Sequence, residues 1–281
     1  MSTGAGPSTS PVNRGLLLQL TAPLQTWGHR SRFNERDTAT APTRSGLIGL
    51  MASALGRGRE IPLDDLQALR FTVRIDRAGS RLRDFHTVGG GMPRRLTLPT
   101  AEGKRRSPGS ATLISDRYYL QDAAFTIAVT SGDAPLLRTC AQALKNPRWP
   151  LYLGRRSCPP SGPVVLADDV ASPMRHLLRL PLSRIPPRRT EAVVVEFTAD
   201  QPLTELIRAA QTEFPDMAVP DVLVQEAPDD PLSFAPRDRR YRSRTQHRIT
   251  LRLPVTQCQG VGTANLHALA AYLDHEQEAL R

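Results

Sequence analysis

Cysteine, lysine and aromatic residues are scarce in this sequence, and long apolar runs are missing from it. The three cysteines, Cys140, Cys158 and Cys258, are odd in number and far apart. They form no CxxC pair and no Cys/His cluster, so a zinc site is not expected and a reducing, cytoplasmic setting is. The six histidines are scattered without metal-ligand spacing. No stretch approaches the ~18 apolar residues that a membrane-crossing helix needs; Leu16-Leu17-Leu18 is a short dense run. Residues 1–13 lack an apolar segment and read as a flexible tail, not a secretory signal. The enzyme motifs GxxxxGK[ST], HExxH and GxSxG do not occur. No metal and no cofactor is expected.

Arginine, by contrast, is plentiful. Of the 37 cations in 281 residues all but Lys104 and Lys145 are Arg, and against 27 acids they leave a net charge of +10. A high-GC genome accounts for the preference of Arg over Lys. It does not account for the excess charge, which implies a polyanionic partner, either nucleic acid or a membrane surface. With aromatics at 5%, each aromatic side chain beside a cation gains weight as a stacking platform.

Apolar periodicity predicts a strand over residues 15–20 and a polar loop over 21–41. A helix follows behind Pro42, Thr43 and Ser45, with Leu47, Ile48, Leu50, Met51, Ala54 and Leu55 on one face and Gly56 at its C-terminal cap. Alternation predicts a strand at 69–75. Residues 118–129 read as one strand, 136–144 as a helix behind Asp133, and 151–153 as a short strand. Between the second and third strands lies a basic, Gly/Pro-marked insertion at 82–116, which fits a projecting β-hairpin better than a structureless loop. The order β-α-β-insertion-β-α-β over 14–154 predicts an α+β fold, ferredoxin-like, of the modified RNA-recognition type. Residues 166–281 read as a smaller, less regular, β-rich part. Its strand candidates lie at 164–166, 192–197, 219–224 and 249–253, its helices at 203–210 and near the C-terminus. The expected division is a tail (1–13), a first domain (14–165) and a C-terminal region (166–281).

Four basic segments carry the candidate chemistry. The loop after the first strand holds Gln25, Trp27, His29, Arg30, Arg32, Phe33 and Arg36, pairing guanidiniums that fit phosphate oxygens with aromatics that stack on unpaired bases. The helix start Thr43-Arg44-Ser45-Gly46 offers free backbone N–H groups, hydroxyls and a cation as a phosphate seat, beyond ordinary capping. Gly154, Arg155, Arg156, Ser157 and Cys158 form a basic turn in which glycine admits a close backbone. The insertion carries Arg94, Arg95, Lys104, Arg105 and Arg106, near His86. A fifth run, six arginines with Tyr241 and His247 over 237–248, suits either nucleic acid or an acidic protein surface. A metal-free ribonuclease would need only a general base such as His29 or His86 beside a cation.

The segments 20–28, 31–33, 36–38 and 42–50, with Asp84-Phe85-His86-Thr87 and residues 153–160, closely resemble the signatures of the CasD family. These are RAMP proteins of the type I-E CRISPR surveillance complex, Cascade. The resemblance covers about residues 14–165. It implies that the loop 25–36, the helix start 43–46 and the turn 154–158 cradle the 5′ handle of the guide RNA (crRNA). It also implies that the 82–116 hairpin is a thumb separating handle from spacer. The expected partners are the crRNA 5′ handle, the large subunit, the adjacent backbone subunit and, indirectly, target DNA, with no membrane. A separate subunit cuts the precursor RNA in such systems, so a non-catalytic binding role in antiviral defence is expected. The alternative is a metal-independent endoribonuclease acting on repeat RNA. A related branch cleaves with Tyr, Lys and His, a triad that this chain's two lysines do not assemble.

Overall fold

The computed structural model describes residues 14–28, 34–100, 102–218 and 221–278. The tail 1–13 and the loop residues His29, Arg30, Arg32 and Phe33 lie outside the described residues. In chain order the elements are β1 (Arg14–Thr21), β2 (Leu24–Gln25), β3 (Glu35–Arg36), α1 (Arg44–Ala54), β4 (Arg70–Arg77), β5 (Ser80–Val88), β6 (Leu113–Gln121), β7 (Ala124–Thr130), α2 (Ala134–Lys145), β8 (Val165–Ala171), α3 (Pro173–Arg179), β9 (Ala192–Ala199), α4 (Thr204–Glu213), β10 (Leu223–Ser233), β11 (Arg240–Pro254) and α5 (Thr263–Glu278). The fold is α+β. One seven-stranded sheet in the order β10-β11-β9-β4-β7-β1-β8 is antiparallel throughout.

β1 is buried on both faces, which is why its apolar run is continuous and not alternating. Leu16, Leu18 and Leu20 face one core with α1 and α2, while Leu17 faces a second core with α3, α4 and α5. The sheet is therefore a middle layer between two helical layers. The chain passes residue 165 at the first residue of β8, and β9 pairs directly with β4. Helix starts behave as the sequence implies: Thr43 accepts from the Gly46 N–H and Asp133 from the Leu136 N–H.

Three expectations need correction. Residues 118–129 are not one strand. The chain turns at Asp122, which has φ 59°, and Arg77 grips that residue's carbonyl at 2.5 Å and carboxylate at 2.8 Å. β6 thus leaves the main sheet to join a second one, where β5 covers one edge and β2 and β3 share the other. Residues 151–153 form no strand. Leu153 donates to the Cys158 carbonyl and accepts from the Thr26 N–H, so its backbone closes a loop and not a ladder. The outermost strand beside β1 is instead β8. The C-terminal half is also more regular than expected: β10 and β11 form a long hairpin, and α3 appears where no helix was anticipated.

Arg74, in the middle of β4, is fully buried beside Asp76 at 2.6 Å. It donates to the carbonyls of Leu177, Leu180 and Pro181 and to the Thr126 hydroxyl. It thereby satisfies the open carbonyls at the end of α3 and fixes that helix to the sheet. On the outer side of α3, Arg175 and Arg179 pair with Glu213 of α4 and Glu276 of α5. His176 sits beneath them, 2.9 Å from the Tyr272 hydroxyl. Burial pushes its pKa below the ordinary value; Glu276 pulls the other way, and Arg175 and Arg179 add to the depression. A depressed folded pKa means that the unfolded chain takes up the proton first. The associated stability is fully present above about pH 6.5 and is lost as pH falls below it. Urea midpoints at pH 7.5 and 5.5 should show this drop, and His176→Gln should flatten it; an equal drop in the variant would refute the assignment.

Candidate nucleic-acid interface

Along α1 runs an open cleft of about 960 Å³. One side is built by Thr26, Trp27, Gly28, Arg36 and Asp37, and the floor by Thr43, Ser45, Gly46, Gly49 and Leu50 of the α1 start. Arg57 and Arg59, in the turn after α1, line it as well. The loop 149–159 contributes Trp149, Tyr152, Gly154, Arg155 and Arg156, the β10–β11 turn adds Phe234 and Arg239, and the start of β11 adds Tyr241. Sequence-expected residues from three separated segments thus share one concave surface.

Their roles differ from the expectation. Arg36 and Arg156 are exposed and have no side-chain partner among the described residues, as a phosphate ligand requires. Arg155 is a brace: it donates to the carbonyls of Tyr118 (3.1 Å) and Arg36 (2.9 Å) and lies 4.6 Å above the Tyr119 ring. Trp27 is 1% exposed and fills the core edge, its ring edge-on to Phe125 and its Nε1 donating to Gln25. Gln25 is fully buried and donates to the Leu20 and Ala123 carbonyls, so it belongs to the core and not to a ligand surface. Gly46 is required by Trp27: a Cβ there would lie 2.7 Å from the indole. At Gly154, with φ +91°, a Cβ would lie 1.6 Å from the Thr26 carbonyl oxygen. The backbone that glycine admits is therefore the chain's own. Ser157 is exposed, whereas the Cys158 thiol is buried in the core, where burial pushes its pKa up.

The expected phosphate seat at the start of α1 is filled from within. The Arg44 N–H donates at 2.8 Å to Asp229, a carboxylate delivered by the irregularity in β10, and Thr43 already takes the Gly46 N–H. The Arg44 side chain is 4% exposed and points inward. It meets Asp200 at 2.5 Å, Asp230 at 2.7 Å, the carbonyls of Leu69 and Gln67, and the Gln67 amide oxygen. Arg244 bridges Asp200 and Asp229 from the other side, and Arg242 meets Asp230 at 2.6 Å. Burial opposes the Arg44 charge, but Asp200 and Asp230 outweigh it and raise its pKa above the usual value. Burial likewise pushes Asp230 up, yet hydrogen bonds from Arg44 and Arg242 hold its carboxyl below the usual range. Arg44 is thus no ligand residue; its expected role is corrected to that of a buried tie.

The hairpin cations lie elsewhere. Arg94, Arg95 and Lys104 are exposed beyond the ends of β5 and β6, without side-chain partners among the described residues. Arg105 donates to the Thr97 carbonyl, and Arg106 is half-buried with its Nε lacking a partner among the described residues. His86 pairs with Asp84 at 3.1 Å on β5. None of them lines the cleft. Sequence reasoning missed Arg59, Trp149, Tyr152 and Phe234. Arg239 and Tyr241 lay within a noticed arginine run whose direction no spacing reveals.

An α+β sheet that carries an arginine-lined cleft beside its first helix defines the class. The chain belongs to the CRISPR-associated protein (Cas_Cas5) family, whose model matches residues 15–247. It is 36% identical over 178 residues to the CRISPR system Cascade subunit CasD of Escherichia coli (strain K12), a match covering 58% of this chain and 75% of that protein. It is also similar to a chain of a solved CRISPR RNA-guided surveillance complex. That match has a TM-score of 0.76 at 40% identity and covers 92% of this chain and 99% of the other. A solved Cas protein matches with a TM-score of 0.55 at 31% identity, over 88% and 98% of the two chains.

Removing one partner of a buried ion cluster leaves uncompensated charge, at a cost of about 3–5 kcal/mol. Arg44→Ala should therefore lower unfolding stability by about that much in urea titrations. Arg156→Ala should stay within about 0.5 kcal/mol of the parent. Equal midpoints for the Arg44 variant and the parent would refute the buried-tie assignment.

Proposed function

We propose that the cleft holds the 5′ handle of a CRISPR guide RNA. On this reading the chain is a non-catalytic RNA-binding and assembly subunit of a type I-E Cascade complex, beside a large subunit and a backbone subunit. The observation that carries it is the cleft, which gathers the exposed guanidiniums of Arg36, Arg59 and Arg156, without side-chain partners among the described residues, around a partly apolar floor. Arginine in a concave site fits phosphate oxygens, and aromatic neighbours accept splayed bases. The likeness to a Cascade subunit and to a chain of an RNA-guided complex supports the same reading.

Finer features agree with it. The subset β1-α1-β4-β7-α2-β8, with the sheet order β4-β7-β1-β8, supports a ferredoxin-like core of the RNA-recognition type. The β5–β6 hairpin, with its basic tip, supports the thumb reading of the 82–116 insertion. Residues 14–165 then supply most of the RNA surface, and 166–281 complete the sheet. A binding role and not a cleaving one is supported by the two lysines: Lys145 pairs with Asp168, and Lys104 sits in the hairpin tip, so neither lines the cleft. No helix among the described residues is long and apolar enough to cross a membrane.

Binding of a handle oligoribonucleotide should weaken steeply with salt, because each neutralised phosphate releases counterions. The triple variant Arg36→Ala/Arg59→Ala/Arg156→Ala should bind far more weakly, with a salt slope shallower by about 0.7 per lost contact. Unchanged affinity and slope would place the RNA elsewhere.

A further inference from the structure

The arginine run at 237–248 was ambiguous between RNA and an acidic surface. The structure sorts it residue by residue. Arg240 pairs with Asp238, Arg242 with Asp230, Arg244 with Asp200 and Asp229, and Arg248 with Glu196. The acidic surface that the run faces is thus largely the chain's own. Only Arg237 and Arg239 keep exposed side chains without a partner among the described residues, and of these two Arg239 lines the cleft. Tyr241, 42% exposed, lines it as well.

Both are held by an anchored turn. Phe234 packs on the core, with its ring 3.9 Å from where a Cβ on Gly49 of α1 would lie. The Asp238 N–H donates to the Ala235 carbonyl and the Ala235 N–H to the Ser233 hydroxyl, which shapes the turn. Asp229 and Asp230, in the same hairpin, are bound to the start of α1. A wall fixed at this many points to the cleft floor does not need to order itself on binding, so its contacts carry little entropic cost.

Resting on the handle-binding reading, we propose that this turn is the far wall of the RNA site: Tyr241 stacks on an unpaired base and Arg239 takes a neighbouring phosphate. An exposed aromatic beside an unneutralised guanidinium is the combination that single-stranded RNA recognises. This assigns part of the C-terminal region to RNA contact.

The test is fluorescence anisotropy on the full chain with a labelled single-stranded oligoribonucleotide of the handle sequence, and with the same oligomer made abasic. Tyr241→Ala and Tyr241→Leu should each weaken binding about tenfold, and Tyr241→Phe should bind as the parent does. On the abasic oligomer the Tyr241 effect should vanish. Arg239→Ala should weaken binding to both oligomers and flatten the salt slope by about 0.7. The Leu variant keeps the side-chain bulk, so folding loss cannot mimic the result. If the Tyr241 and Arg239 variants bind like the parent while Arg156→Ala is impaired, the far wall is wrong and the cleft reading stands. If Arg156→Ala also binds normally, both are wrong.

Discussion

The guanidinium of Arg44, shut away from water at the start of α1, ties together pieces of chain nearly two hundred residues apart. It reaches Asp200 just beyond β9 and Asp230 in β10, and its own N–H meets Asp229. An isolated buried charge would be prohibitively costly, so the cluster is stable only when all its members are in place. This makes the C-terminal hairpin a condition for the correct setting of the first helix. The cleft floor and the β10–β11 hairpin are consequently tied together through these carboxylates.

The same economy of charge runs through the molecule. A net charge of +10 describes the chain as a whole, but many arginines are consumed internally. Arg74 finishes the end of α3, Arg155 braces the second sheet, and Arg44 and Arg244 hold the two halves together. What remains for a polyanion is a smaller, concentrated set around the cleft and on the hairpin tip. Long-range attraction follows the total charge, whereas local recognition follows the few guanidiniums left without carboxylates.

Glycine shows a parallel division of labour. Gly46 and Gly154 stand at the cleft, where closeness to RNA was the natural reading. Both are demanded by packing inside the protein, against Trp27 and the Thr26 carbonyl. Packing inside the protein is therefore enough to require glycine at both positions. The conspicuous segments of the sequence are thus partly scaffold, and Arg36, Arg59 and Arg156 beside them line the cleft with exposed side chains.

Sequence alone determined the α+β class, the places of β1, α1, β4 and α2, and the concentration of basic residues near the first helix. These follow from local periodicity, capping and composition, which depend on neighbours a few residues apart. The basic, Gly/Pro-marked character of the segment between the second and third strands was legible for the same reason. The break at Asp122, the loop at 151–153 and the fates of Gln25, Arg44 and Cys158 were decided only by tertiary structure. An exposed arginine and a buried one read alike in sequence, and what separates them is a carboxylate delivered from a distant strand. Asp200, Asp229 and Asp230 lie at least 156 residues from Arg44 along the chain, and only folding brings them together.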